Sequence, residues 1–163
     1  MKDNKVREIE FRGKDINDNK WVYGFYSQFH NRPVVDEPNS HQIFEILPDE
    51  KSIRLFKTSI GGIWHIIDEN TLGQFTGLCD KNGKKIYEGD IIKSHYGSIY
   101  IVKYFADWSG FSLKLVFLNT EGKLIRATGR QHLYKNDCTR LEILGNVWDN
   151  PELLGGRDEE CDN

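Results

Sequence analysis

The chain has 163 residues, a length that suits one ordinary domain or two very small ones and that buries a core without metal or disulfide support. Charged residues make up 29% and the formal balance is only -3, so the bulk composition describes an ordinary soluble surface and gives no support to a polyanion-binding or membrane-seeking protein. Cys79, Cys138 and Cys161 are odd in number, widely spaced and lack a C-x-x-C pair, which argues against a disulfide framework and a zinc site and fits a reducing, cytoplasmic setting.

No cationic segment followed by an apolar run opens the chain, and no apolar stretch approaches the roughly 18 residues of a membrane helix, so no membrane partner is expected. Charge is unevenly placed. Residues 149–163 hold six acids against the single base Arg157, while the segment 119–140 carries Lys123, Arg126, Arg130, Lys135 and Arg140 against Glu121 and Asp137. A solvated face accounts for that basic excess, and a nucleic-acid contact through residues 123–140 is the alternative.

Val6 to Phe11 alternates as a half-buried strand does, and a turn-rich stretch through Asn19 leads into Trp21-Val-Tyr-Gly-Phe-Tyr26. These two runs predict an antiparallel pair, with Gly24 marking a bulge or close backbone approach. Between Gln28 and Ser59, Pro33, Pro38 and Pro48 interrupt short apolar runs, which predicts loops and edge strands. Ile63 to Ile67 reads as a strand closed by a turn at Asp68 to Thr71.

The second half is more regular. Leu72 to Leu78 and the turn Asp80-Lys-Asn-Gly-Lys84 predict a hairpin in which Asn82 and Gly83 supply the two positive φ angles of a type I′ turn. Ile86 to Ile92, Ile99 to Phe105, Phe111 to Phe117, Leu124 to Ala127 and Leu141 to Trp148 follow as short strands. A short helix fits around His132 to Asn136, and Asn150-Pro151 reads as an N-cap and first helical position of one last turn. Five or six strands at this spacing predict a small antiparallel β barrel or sandwich. The expected organisation is a β-rich, loop-rich region over 1–71, the barrel over 72–154 and a disordered acidic tail over 155–163, with little helix overall.

Three stretches carry a family resemblance: Arg7-Glu-Ile-Glu-Phe-Arg12, then Gly73-Gln-Phe-Thr-Gly-Leu-Cys-Asp-Lys-Asn-Gly-Lys-Lys-Ile-Tyr-Glu-Gly-Asp-Ile-Ile92, then Leu144-Gly-Asn-Val-Trp-Asp-Asn-Pro-Glu-Leu-Leu154. In order, spacing and content the chain resembles the YopX family. The resemblance implies a phage or prophage origin and an SH3-like barrel in the later part, and it brings no assigned activity and no catalytic residues.

Glu88-Gly-Asp90 offers two carboxylates around a glycine, a pattern able to ligate a divalent cation or share acid and base work. A turn is the plainer account, with Gly89 at a special backbone angle and Asp90 accepting backbone N–H groups. Gly77, Asp80, Asn82 and Gly83 likewise read as structural parts of the motif, since the spacing of a calcium loop is absent and three lysines flank the turn. The glycines match no phosphate loop, and His30, His41, His65, His95 and His132 include no pair at metal-ligand spacing. No catalytic, cofactor or metal residues are therefore assigned.

The 20 Trp, Tyr and Phe residues are too many for strands to hide on one face. Tyr96, Trp108 and Tyr134 lie near turns, and Arg126 and Arg130 are close in sequence, so these five are the candidate interaction residues. Binding or assembly is expected rather than catalysis, through a second copy of the chain or another protein. A nucleic-acid contact and an enzyme whose groups converge only in three dimensions are the alternatives.

Overall fold

The computed structural model describes residues 8–29, 52–57, 63–120, 122, 124–134 and 138–155. The chain divides into two compact units, Glu10–Leu72 and a second made of Gly73–Asn163 with Met1–Ile9. Both are built from antiparallel strands, and the only helical elements among the described residues are four 3-10 turns of three or four residues.

In the first unit β1 (Phe11–Lys14), β2 (Trp21–Phe29), β3 (Ser52–Lys57) and β4 (Ile63–Ile67) lie in the order β4-β3-β2-β1. β2 pairs β1 through Trp21 to Gly24 and β3 through Phe25 to Phe29, with no break in register at Gly24. The bulge expected there is absent. The first strand also starts later than its alternation suggests, at Phe11, and β3 is an interior strand between β2 and β4 where edge strands were expected. Val22 and Ile67 form the small core, with Phe11 and Leu72 against them. After β4 the Asp68 carboxylate accepts from the Asn70 N–H at 3.0 Å and caps the 3-10 turn Glu69–Thr71. The proline-interrupted runs 33–35 and 43–47 and the tail from residue 156 lie outside the described residues.

The second unit holds β5 (Gly73–Cys79), β6 (Lys85–Tyr87), β7 (Asp90–Ser94), β8 (Ile99–Phe105), β9 (Gly110–Leu118), β10 (Leu124–His132) and β11 (Leu141–Asn146). β5 and β6 form a hairpin. The other five make a sheet in the order β10-β9-β8-β7-β11, in which β11 returns after the meander to pair with β7. Ile86 of β6 packs with Ile92, Val102, Leu113 and Leu141 of this sheet as the buried core of the unit. Ile91 and Ile92 are consecutive, point to opposite faces and are both fully buried, so β7 is covered on both sides.

β10 and β11 are the two ends of this sheet, and no closed barrel forms among the described strands. β10 is longer than its apolar run implies, because the polar stretch through His132 continues to pair β9 past a break in register between Thr128 and Gln131. His132 is therefore in a strand rather than a helix, and the helical turn comes later, at Cys138–Arg140. The last turn, Pro151–Leu154, is a single 3-10 turn whose Asn150 makes no side-chain cap.

The β5–β6 turn departs from type I′. Of Asn82 and Gly83 only Gly83 has a positive φ, +80°. The Gly83 N–H donates to the Asp80 carbonyl at 3.0 Å and the Asp80 N–H to the Lys84 carbonyl at 2.9 Å, which makes a three-residue loop with glycine at the left-handed position. A Cβ on Gly83 would meet no atom within 4 Å, so backbone strain alone opposes a side chain there. Gly83→Val is expected to lower stability by about 1 kcal/mol or more, read from thermal melts. An unchanged melting temperature would contradict the turn.

Candidate functional site

The carboxylates of the central motif are spent on backbone. Asp80 is buried; its Oδ1 accepts from the Asn82 and Lys84 N–H groups at 2.8 and 2.9 Å, and its Oδ2 accepts from the Ile143 N–H at 3.2 Å. One side chain thus closes the β5–β6 turn and ties it to β11. Burial pushes its carboxyl up, but the Ile143, Lys84 and Asn82 N–H groups outweigh that and hold it below the usual carboxylate value.

Asp90 is 1% exposed and its Oδ2 accepts from the Tyr87 N–H at 2.8 Å, whereas Glu88 Oε1 accepts from the Tyr104 N–H at 3.0 Å on β8. The two acids serve different strands. Between them Gly89, at φ +81°, donates to the Val102 carbonyl and accepts from the Val147 N–H, with the Trp148 ring directly over it. The Glu88-Gly-Asp90 turn and the Leu144 to Leu154 stretch, far apart in sequence, are thereby one packed corner. Asn146 completes it by accepting from the Trp148 and Asp149 N–H groups at 3.0 and 2.9 Å.

A different group of side chains faces solvent. The 3-10 turn Ala106–Trp108 and the end of β10 bring Trp108 and His132 into a stack with ring centroids 4.3 Å apart, and Tyr134 follows at 5.6 Å from His132. The Arg130 guanidinium lies 4.3 Å from the centre of the Phe105 ring and 5.6 Å from that of Trp108, and it pairs with Asp107. Trp108 is 39% and Tyr134 60% exposed. Three of the five candidate interaction residues, Trp108, Arg130 and Tyr134, are thus gathered. Arg126 lies instead over Phe117 at 5.0 Å, and the Tyr96 ring is tilted against that of His95 with centroids 3.6 Å apart.

In the first unit His65 Nδ1 is 2.6 Å from Asp15 Oδ2, a pair that the sequence reading missed. Burial raises the Asp15 carboxyl, but the Asn17 N–H, His65 and the Asn17 amide together bring it below its ordinary value. With Asp15 Oδ1 already accepting from the Asn17 N–H at 2.8 Å, the contact fastens the turn after β1 to β4. Among the described residues no three His, Cys, Asp or Glu side chains gather as a metal site would require. No helix among them is long and apolar enough to cross a membrane.

The YopX protein family model matches residues 10–155, most of the chain. The chain belongs to the YopX family. No curated protein matches it. The crystal structure of protein EF1440 from Enterococcus faecalis is similar at 23% identity and a TM-score of 0.45, over 90% of this chain and 98% of that one.

The match to the YopX family spans the second and third motif stretches whole and the first from Glu10 on. In this YopX chain those later stretches meet at Gly89 and Trp148, while the exposed rings lie in other segments. His132 and Phe105 were the missed members of the ring group. Their only sequence signal was position, with His132 two residues from each of Arg130 and Tyr134, and it becomes readable once residues 124–132 are known to be one strand.

Proposed function

We propose that this protein is a non-enzymatic assembly module that pairs with a second copy of itself through the side chains of Phe105, Trp108, Arg130, His132 and Tyr134. The observation that carries the reading is the exposed stack of Trp108 on His132 with Arg130 laid over the adjoining rings. Tryptophan, tyrosine and arginine are the residues that dominate contact energies, because they bury large areas with few rotors and can satisfy their polar ends. The patch also carries both signs, Arg130 and Asp107, so two copies related by a twofold axis can face one another without net repulsion.

The same balance disfavours a track for phosphates, since Arg130 is already neutralised by Asp107. The Gly129 bulge and the flanking arginines blunt β10 as a backbone template, which leaves contact to the side chains. The family resemblance adds a phage or prophage origin to this reading, and the cysteine pattern a cytoplasmic setting. An SH3-like arrangement of β7 to β11 is supported by the strand order: a four-strand meander, a 3-10 turn, and a last strand paired with the first.

Sedimentation velocity over a concentration series into the tens of micromolar tests the proposal. The wild type is expected to self-associate, and Trp108→Ala and Arg130→Ala to remain monomeric with unchanged melting temperatures. A wild type that stays monomeric throughout would overturn it. So would salt-sensitive binding of a single-stranded oligonucleotide that is lost in an Arg126→Ala, Arg130→Ala double variant, which would favour nucleic acid as the partner.

A further inference from the structure

A second surface feature lies elsewhere in the Gly73–Asn163 unit, where five segments enclose an open cleft of about 630 Å³. The end of β7 supplies Lys93 and Ser94, and the turn to β8 supplies His95 and Tyr96. Arg140 comes from the 3-10 turn before β11, Glu142 from β11, and Lys81 from the β5–β6 turn. The register of β11 on β7 sets Lys93 opposite Glu142 and Ser94 opposite Leu141. The His95 N–H donates to the Arg140 carbonyl at 3.1 Å, which fixes the two rims together.

The charge is one-sided. Glu142 is the single carboxylate of the lining, and Lys81 Nζ already holds it at 2.7 Å. Lys93 and Arg140 carry no ion pair among the described residues. At the mouth Tyr96 is 83% exposed and its ring lies against that of His95, offering a flat apolar surface.

Two unneutralised cations fit the several acceptor oxygens of a phosphate group, and an exposed ring fits a planar heterocycle. The volume falls within the usual range for small-ligand sites. We propose that this cleft binds a mononucleotide-sized phosphate monoester, with the phosphate between Lys93 and Arg140 and the planar ring on Tyr96. The residues belong to no phosphate loop, which is why motif spacing gives no hint of the site; it exists only through the pairing of β7 with β11.

Titration of the full chain with adenosine monophosphate, inorganic phosphate and adenosine, followed by amide chemical shifts, tests this. Adenosine monophosphate is expected to bind and to move the signals of residues 93–96 and 140, inorganic phosphate to bind more weakly at the same residues, and adenosine not to bind. Lys93→Ala with Arg140→Ala should weaken adenosine monophosphate binding at least about tenfold with an unchanged melting temperature, as expected for two charge-assisted contacts. Lys93→Ala alone serves where the double variant does not fold, with a smaller loss expected. Absence of binding by adenosine monophosphate and phosphate, equal binding of adenosine, or affinity indifferent to these substitutions would overturn the proposal.

Discussion

Replacing Gly89 with alanine is expected to destabilise the Gly73–Asn163 unit by roughly 2–5 kcal/mol, the sum of a left-handed backbone penalty and a steric overlap. A Cβ at this position would stand 2.2 Å from Cη2 of Trp148, and the glycine's two backbone hydrogen bonds, to Val102 and Val147, leave the turn little room to withdraw. Gly83 has nearly the same φ with open space around it, so Gly83→Ala carries the backbone part alone. The difference between the two variants in calorimetric or denaturant melts isolates the overlap. Gly89→Ala combined with Trp148→Ala should cost less than the sum of the singles, because removing the ring relieves the clash. Equal effects of Gly83→Ala and Gly89→Ala would mean that Trp148 does not pack on the turn.

Asp80→Ala is the second large effect, about 2–4 kcal/mol, because it leaves the N–H groups of Asn82, Lys84 and Ile143 without their acceptor at a nearly closed site. The carboxyl is held below its ordinary value, so its ionised form stabilises the fold. That contribution is complete above the unfolded-state pKa of about 4 and is lost as pH falls through the lower folded-state value. Asp15 acts in the same direction in the other unit. Stability of the wild type should therefore fall steeply on acidification below about pH 4, and Asp80→Asn should flatten that slope while lowering stability at neutral pH. An unchanged slope in Asp80→Asn would show that the clasp is not ionic.

Local features were the legible part of this fold. Ile99 to Phe105 and Phe111 to Phe117 alternate strongly and each became a strand with little change of boundary. The Glu88-Gly-Asp90 turn was readable from what glycine and aspartate do to a backbone, and its acids do accept backbone N–H groups. What failed needed information from distant residues. Ser52 to Lys57 became an interior strand because β2 and β4 flank it, and nothing within six residues says so. The type I′ expectation missed that Asp80 accepts from Lys84 and Ile143, which favours the longer loop.

The same division runs through the sites. Trp108, Arg130 and Tyr134 were noticeable as rings and arginines near turns, but their meeting depends on the register of β10 against β9 and the irregularity after Thr128. Tyr96 was noticed for its ring and Arg140 as part of the basic excess over 119–140, while Lys93 was not, and strand pairing rather than spacing brings the three together. Asp15 and His65 are fifty residues apart and meet only because β4 reaches the end of β1.

Amide hydrogen–deuterium exchange on the full chain, at dilute and at associating concentrations, tests the assembly reading most directly. The account predicts that added protection at high concentration is confined to the segments around residues 104–108 and 130–134, and that Trp108→Ala abolishes it. Protection that does not change with concentration, or that appears at the Glu88 to Asp90 turn while these segments stay unchanged, would contradict it.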